Sequence, residues 1–109
     1  IENKLISIDL SNNKLQIIKS YYFQNLFSLD IIDLKSNLIS IIEKDSFHTL
    51  FSLKSLNLDN NCLFRFELNL FSKLVLLNDL KLGNNLLKNL DENLFDQLKS
   101  LSILFLNSN

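Results

Sequence analysis

One histidine, His48, and one cysteine, Cys62, are the chain's only imidazole and thiol. A nucleophile and its base must lie within hydrogen-bond reach, with a third group orienting the base. The register described below puts Cys62 elsewhere around the turn from His48. The histidine follows Phe47 with no serine or cysteine partner beside it, so it reads as a solvated surface residue. One imidazole and one thiol cannot complete a zinc site without carboxylates. A single glycine, Gly83, cannot build a phosphate-cradling loop. These residues predict no enzyme, no metal and no cofactor. The chemistry that remains is recognition. In Ser7-Ile8-Asp9-Leu10 and Asp79-Leu80-Lys81-Leu82 polar and apolar side chains alternate. Alternation is the strand period, and it sends the polar set to one face.

Composition narrows the partners. The chain has 109 residues, 47% of them hydrophobic, enough for one small domain with a real core. Its 11 basic and 12 acidic residues leave a net charge of −1. Nucleic acid and anionic membranes both need a basic field, so neither is an expected partner. No apolar run is long enough to span a bilayer. Ile1-Glu2-Asn3-Lys4 opens no signal peptide. Cys62 alone allows no internal disulfide and gives no redox compartment; a half-buried structural thiol is its plain reading, beside a redox or intermolecular role. No Asn-x-Ser/Thr triplet occurs, and Asn60-Asn61-Cys62 is only the rare cysteine variant. Proline is absent, so turns must come from another device. Asparagine tolerates left-handed backbone and bonds locally, which makes it the candidate.

The elements that position these side chains come from a period of 24 residues, without insertion or deletion. The first position holds Leu5, Leu29, Leu53, Leu77 and Leu101; the fourth, Ile8, Ile32, Leu56, Leu80 and Leu104; the sixth, Leu10, Leu34, Leu58, Leu82 and Leu106. Asn13, Asn37, Asn61, Asn85 and Asn109 occupy the ninth; Leu15, Ile39, Leu63 and Leu87 the eleventh. The fourteenth holds Ile18, Ile42, Phe66 and Leu90, the nineteenth Phe23, Phe47, Phe71 and Phe95, and the twenty-second Leu26, Leu50, Leu74 and Leu98. Four full repeats start at residues 5, 29, 53 and 77 of a single domain spanning 1–109, with partial repeats at both ends. A coiled coil would need three-and-four spacing over several heptads. The two-residue step from the fourth to the sixth position is a strand step instead.

Each repeat therefore predicts one short strand, such as Ser7–Ser11 or Ser55–Asp59, returning as loop or short helix. Units stacked in one direction make the strands parallel and about 4.8 Å apart. The return arc is bulkier, so the stack bends with the sheet on its inner side. The leucine columns fill the core, and the four phenylalanines form a spine under the outer side. The asparagines are expected to turn inward after each strand and bond backbone groups of their own turn and the next.

The unit L-x-x-L-x-L-x-x-N-x-L-x-x-L-x-x-x-x-F-x-x-L-x-x resembles the 24-residue "typical" class of leucine-rich repeat, found in ectodomains such as Toll-like receptors, Slit-type proteins and variable lymphocyte receptors. That resemblance implies an α/β right-handed solenoid, a horseshoe with a concave parallel sheet. It implies a protein ligand and a receptor or secreted setting. The class often carries proline after the fourteenth position and glycine near the seventeenth; here those sites hold Lys19, Glu43, Glu67 and Asp91, and Tyr21, Asp45, Asn69 and Asn93. No cysteine-rich cap is present, and the chain opens and closes within repeats, so a piece of a longer array is expected.

The binding face is expected on the outward positions of the sheet: Ser7, Ile31, Ser55, Asp79 and Ile103 at the third, Asp9, Asp33, Asn57, Lys81 and Phe105 at the fifth, with Lys35 and Asp59 at the seventh. These vary in charge and size while the core columns hardly change, which is what a partner-specific surface requires. Asp9 and Asp33 should be lateral neighbours, relieved by Lys35 or by a partner's basic group. The function expected is non-enzymatic binding of a protein on the concave face, in a receptor or secreted protein. An intracellular, cytoplasmic scaffold built on the same repeat is the alternative. In a third reading an enzyme carries the repeats as a targeting arm, with its catalysis outside this chain.

Overall fold

The computed structural model describes residues 5–91 and 93–109. The opening tetrapeptide, read above for a leader, lies outside them. Seven short strands follow in chain order: β1 (Ser7–Asp9), β2 (Ile17–Ile18), β3 (Ile31–Asp33), β4 (Ile41–Ile42), β5 (Ser55–Asn57), β6 (Asp79–Lys81) and β7 (Ile103–Phe105). One strand per turn builds a five-stranded parallel sheet in the order β1-β3-β5-β6-β7. Its register advances by one period per strand, Ile8 beside Ile32, then Leu56, Leu80 and Leu104. The molecule is a parallel-sheet solenoid of about four turns.

The strands are shorter than Ser7–Ser11 and Ser55–Asp59. They stop at the fifth position because the eighth turns left-handed: Asn12, Ser36, Asn60, Asn84 and Ser108 all have φ between 52° and 61°. Six of the nine left-handed non-glycine residues among those described are asparagine, and Gly83 is not left-handed. Asp45 and Asn69, at the seventeenth position where the class often has glycine, are left-handed as well, with φ 67° and 68°. Single backbone bonds carry the ladder past the strand ends, as from Leu34 N to Asn57 O at 2.8 Å.

The core is the leucine columns. Leu29, Leu53 and Leu77, Ile32, Leu56 and Leu80, and Leu34, Leu58 and Leu82 are buried, while Leu5, Leu10 and Leu104 in the end turns are exposed. Phe23, Phe47, Phe71 and Phe95 stack in turn, with ring centroids 6.4, 6.4 and 6.3 Å apart. Parallel strands sit only about 4.8 Å apart. The turns are therefore wider on the phenylalanine side, which bends the stack and puts the sheet on the inner, concave side.

One feature of the arc fits the expected loop or short helix, and one was not expected. Among the described residues its only helix is a 3-10 turn, Leu94–Gln97. A second, two-stranded parallel sheet joins β2 to β4. Isoleucine doublets favour extended backbone because branching at Cβ stiffens the side chain. The third and fourth repeats hold Arg65–Phe66 and Asn89–Leu90 at these positions, and the small sheet stops.

Candidate functional site

The sheet brings the predicted third- and fifth-position residues together in two rows. Ser7, Ile31, Ser55, Asp79 and Ile103 lie side by side, as do Asp9, Asp33, Asn57, Lys81 and Phe105. Ser7, Asp9, Ile31, Lys35, Ile103 and Phe105 are exposed; Asp33, Ser55, Asn57, Asp59, Asp79 and Lys81 are half-buried. The face thus runs from an acidic end at Asp9 and Asp33 to a cationic and apolar end at Lys81, Ile103 and Phe105.

The fifth position is more constrained than its variation implies. Asp9 Oδ1 accepts bonds from the Ser11 amide at 3.0 Å and the Ser11 hydroxyl at 2.6 Å. Asp33 Oδ1 accepts from Lys35 N at 3.1 Å, and Asn57 Oδ1 from Asp59 N at 3.0 Å. Each caps an amide two residues on, the local turn that Asp and Asn side chains make readily. The bonds to Ser11 are the main cause holding the Asp9 carboxyl below its ordinary value, and the charge of Lys35 contributes least. The turn at Asp9, more than Lys35, favours its ionised form. Charge reversal at Asp33 also removes a backbone cap, so it tests binding less cleanly than Lys81 does.

Lys81 cannot accept a hydrogen bond. In its turn Asp59 reaches over from the preceding repeat, and Gly83 N donates to Asp59 Oδ1 at 2.7 Å. A Cβ at Gly83 would stand 3.3 Å from that oxygen and from Asn107 O, and would meet Asn107 Oδ1. A side chain here would make the exposed Asn107 amide turn aside and crowd the Asn107 carbonyl and the Asp59 carboxylate. Signals for this were in the sequence: an acceptor at the fifth position in three successive repeats, its loss at Lys81, and glycine two residues later.

Beneath the rim, the ninth-position asparagines bond backbone of their own turn and of the preceding turn, not the next. Asn61 Nδ2 donates to Leu58 O and Leu34 O at 3.1 Å each, while its Oδ1 accepts from Ile39 N at 3.0 Å. Asn37, Asn85 and Asn109 repeat this set, Asn109 accepting from Leu87 N at 3.1 Å. Among the described residues, Asn13 bonds within its own turn, to Leu10 O and Ser11 O.

Away from the sheet, His48 is exposed, with Nδ1 3.8 Å from Asp45 Oδ1, and Cys62 is a half-buried free thiol. Among the described residues no cluster of three His, Cys, Asp or Glu side chains could hold a metal ion. The two flanks carry exposed apolar rows that the repeat columns left out. Phe27 and Phe51 stack at 6.2 Å on one flank, and Leu38, Phe64 and Leu86 stand out on the other. Their signal was phenylalanine at the twenty-third position and leucine at the tenth; Phe64, at the twelfth, belongs to neither column.

A bent parallel sheet, a phenylalanine spine and inward asparagines define a repeat solenoid. The chain belongs to the leucine rich repeat family, whose model matches it over residues 3–63 and 51–109. Domains of this family are protein-interaction modules. No curated protein matches the chain. Among solved structures it is similar to the crystal structure of a TLR13–ssRNA13 complex, at 36% identity and a TM-score of 0.89. The likeness covers 94% of this chain and 15% of that one.

Proposed function

We propose that the chain is a non-enzymatic recognition module that holds a protein partner on the concave sheet, as part of a receptor or secreted protein. The observation that carries this is the contrast between an invariant buried frame and the changing outward rows. The C-terminal end of the face is the best anchor. Lys81, Ile103 and Phe105 make no internal cap, so a partner can use them without undoing a turn. Exposed apolar side chains grouped beside a charge suit the centre of a protein interface. The receptor setting is supported by the likeness to TLR13, a Toll-like receptor by name.

That structure's title also names a single-stranded RNA, which gives a second reading. The charge on this face favours a protein instead. Four carboxylates, on Asp9, Asp33, Asp59 and Asp79, face two ammonium groups, on Lys35 and Lys81. A phosphate backbone binds through cations and loses affinity steeply with salt.

Binding of the chain to a panel of secreted and cell-surface proteins, with a single-stranded RNA oligonucleotide alongside, separates these readings. Lys81→Glu and Phe105→Ala should each weaken the protein complex about tenfold, while the outer-arc change His48→Ala leaves it intact. Loss on His48→Ala with full binding by the sheet variants would move the site to the arc. Saturable, salt-sensitive RNA binding lost in Lys81→Glu, with no protein ligand, would replace this reading by the second.

A further inference from the structure

The geometry points to a hinge between the second and third repeats, fixed on its sheet side and free to open on its outer side. The first seam shows what a closed arc looks like. There β2 pairs with β4, and Ser40 N and Glu43 N donate to Gln16 O and Ile18 O at 3.0 and 2.9 Å. Three side chains of the second repeat add links to the first. Glu43 Oε1 accepts from Ser20 N at 2.9 Å, and Glu43 Oε2 lies 3.7 Å from Lys19 Nζ. Ser46 Oγ donates to Ile18 O at 3.3 Å. Thr49 Oγ1 accepts from Asn25 N at 3.2 Å and donates to Phe23 O at 3.4 Å.

One period later each link is gone. Glu67, in the place of Glu43, faces Arg65 of its own arc at 3.8 Å. Leu70 stands where Ser46 was and Lys73 where Thr49 was, so neither offers a hydroxyl. At the fourteenth position isoleucine gives way to Phe66, which packs edge-on against Phe71 at 5.2 Å. Arg65–Phe66 does not pair with β4. Among the described residues no hydrogen bond joins 40–51 to 64–75. A crevice of about 30 Å³ lies between Ile41 and Phe64 instead. The third seam is linked again, by Gln97 Nε2 to Asn69 Oδ1 at 2.7 Å and Ser100 Oγ to Val75 O at 2.8 Å.

The sheet side of the same seam is fully bonded. Leu34 N and Ser36 N donate to Asn57 O and Asp59 O at 2.8 and 2.9 Å, and Cys62 N to Ile39 O at 2.8 Å. The stacked rings of Phe47 and Phe71 span the outer side, and such contacts slide at less cost than hydrogen bonds break. A repeat array holds together through nearest-neighbour interfaces, so it flexes where one is weakest. Opening this seam changes the bend of the array and tilts the outward side chains of β3 and β5 relative to one another.

Residual dipolar couplings of the backbone amides test the hinge, fitted separately to residues 5–52 and 53–109. The expected result is loss of a common alignment tensor across this seam, with unequal magnitudes for the two blocks. A split at the first seam, 5–28 against 29–52, should keep one tensor. A single tensor fitting the whole wild-type chain overturns the hinge. Phe66→Ile with Lys73→Thr restores two features of the first seam and should bring back one tensor. A folded double variant that keeps unequal tensors overturns the assignment to these side chains. Ile42→Phe with Thr49→Lys is the converse: it should open the first seam, and an unchanged tensor there in the folded variant counts against the same assignment.

Discussion

Along the inner edge of the molecule each turn repeats the last. The sixth-position amide donates to the fifth-position carbonyl of the next turn at 2.9, 2.8, 2.8 and 2.8 Å through the whole array. Along the outer arc no two seams are bonded alike. The inner edge is held by backbone, whose donors and acceptors recur whatever the side chain. The arc is held by side chains above a phenylalanine spine, so each substitution there changes how two turns meet. Variation is therefore harmless to structure on the outward sheet positions that bear no cap, and has structural consequences on the arc. This is the reverse of what variability alone implies.

The comparison is sharpened most by Phe47→Ala. Phe47 is fully buried between Phe23 and Phe71. Its loss leaves a cavity in the middle of the spine and should cost about 3–5 kcal/mol in denaturant unfolding. A cost under about 1 kcal/mol would mean that the spine is not what holds the arc. Asn61→Ala comes next. It leaves Ile39 N without its partner in a buried site, while Leu34 O and Leu58 O keep the Asn37 and Asn85 amides, an expected loss of about 1–3 kcal/mol. Asn13→Ala, at the exposed end of the same column, should cost well under that. Equal costs for the two asparagines would show that water satisfies the inner edge as well as the amide does.

The period of 24 made the parallel sheet, the buried leucines and the stacked phenylalanines legible, because each is a column that tolerates little else. What escaped lies between the columns. The strand ends depend on left-handed backbone at the eighth position, which Asn12 and Asn60 advertise and Ser36 does not. The small second sheet needed two isoleucine doublets to be read as a pair one period apart. The fifth position was read as free surface because Asp and Asn look like partner-seeking groups. Their capping role depends on the fold of the next two residues, which the type of residue alone does not reveal. The uneven seams arise from contacts between repeats, whereas column reading compares positions within them.

The smallest effect belongs to one carboxylate at the inner edge. Asp9 is solvent-exposed, yet its bonds to the Ser11 hydroxyl and amide favour the ionised form and lower its pKa from an ordinary 3.8. In the unfolded chain those bonds are absent and the carboxyl titrates near about 3.9. The folded state thus holds its proton less tightly than the unfolded one. The contribution to stability is fully present above the unfolded pKa and is lost as pH falls through the lowered folded value. A carbon-detected NMR titration of the Asp9 carboxyl should give a midpoint below the ordinary value. Asp9→Asn keeps an oxygen that can cap Ser11 N, as Asn57 does for Asp59 N, and should keep the turn while abolishing that pH dependence. A normal midpoint for Asp9, or a turn lost in Asp9→Asn, would mean that the rim is organised by the ladder alone and that the fifth position is as free as its variation first implied.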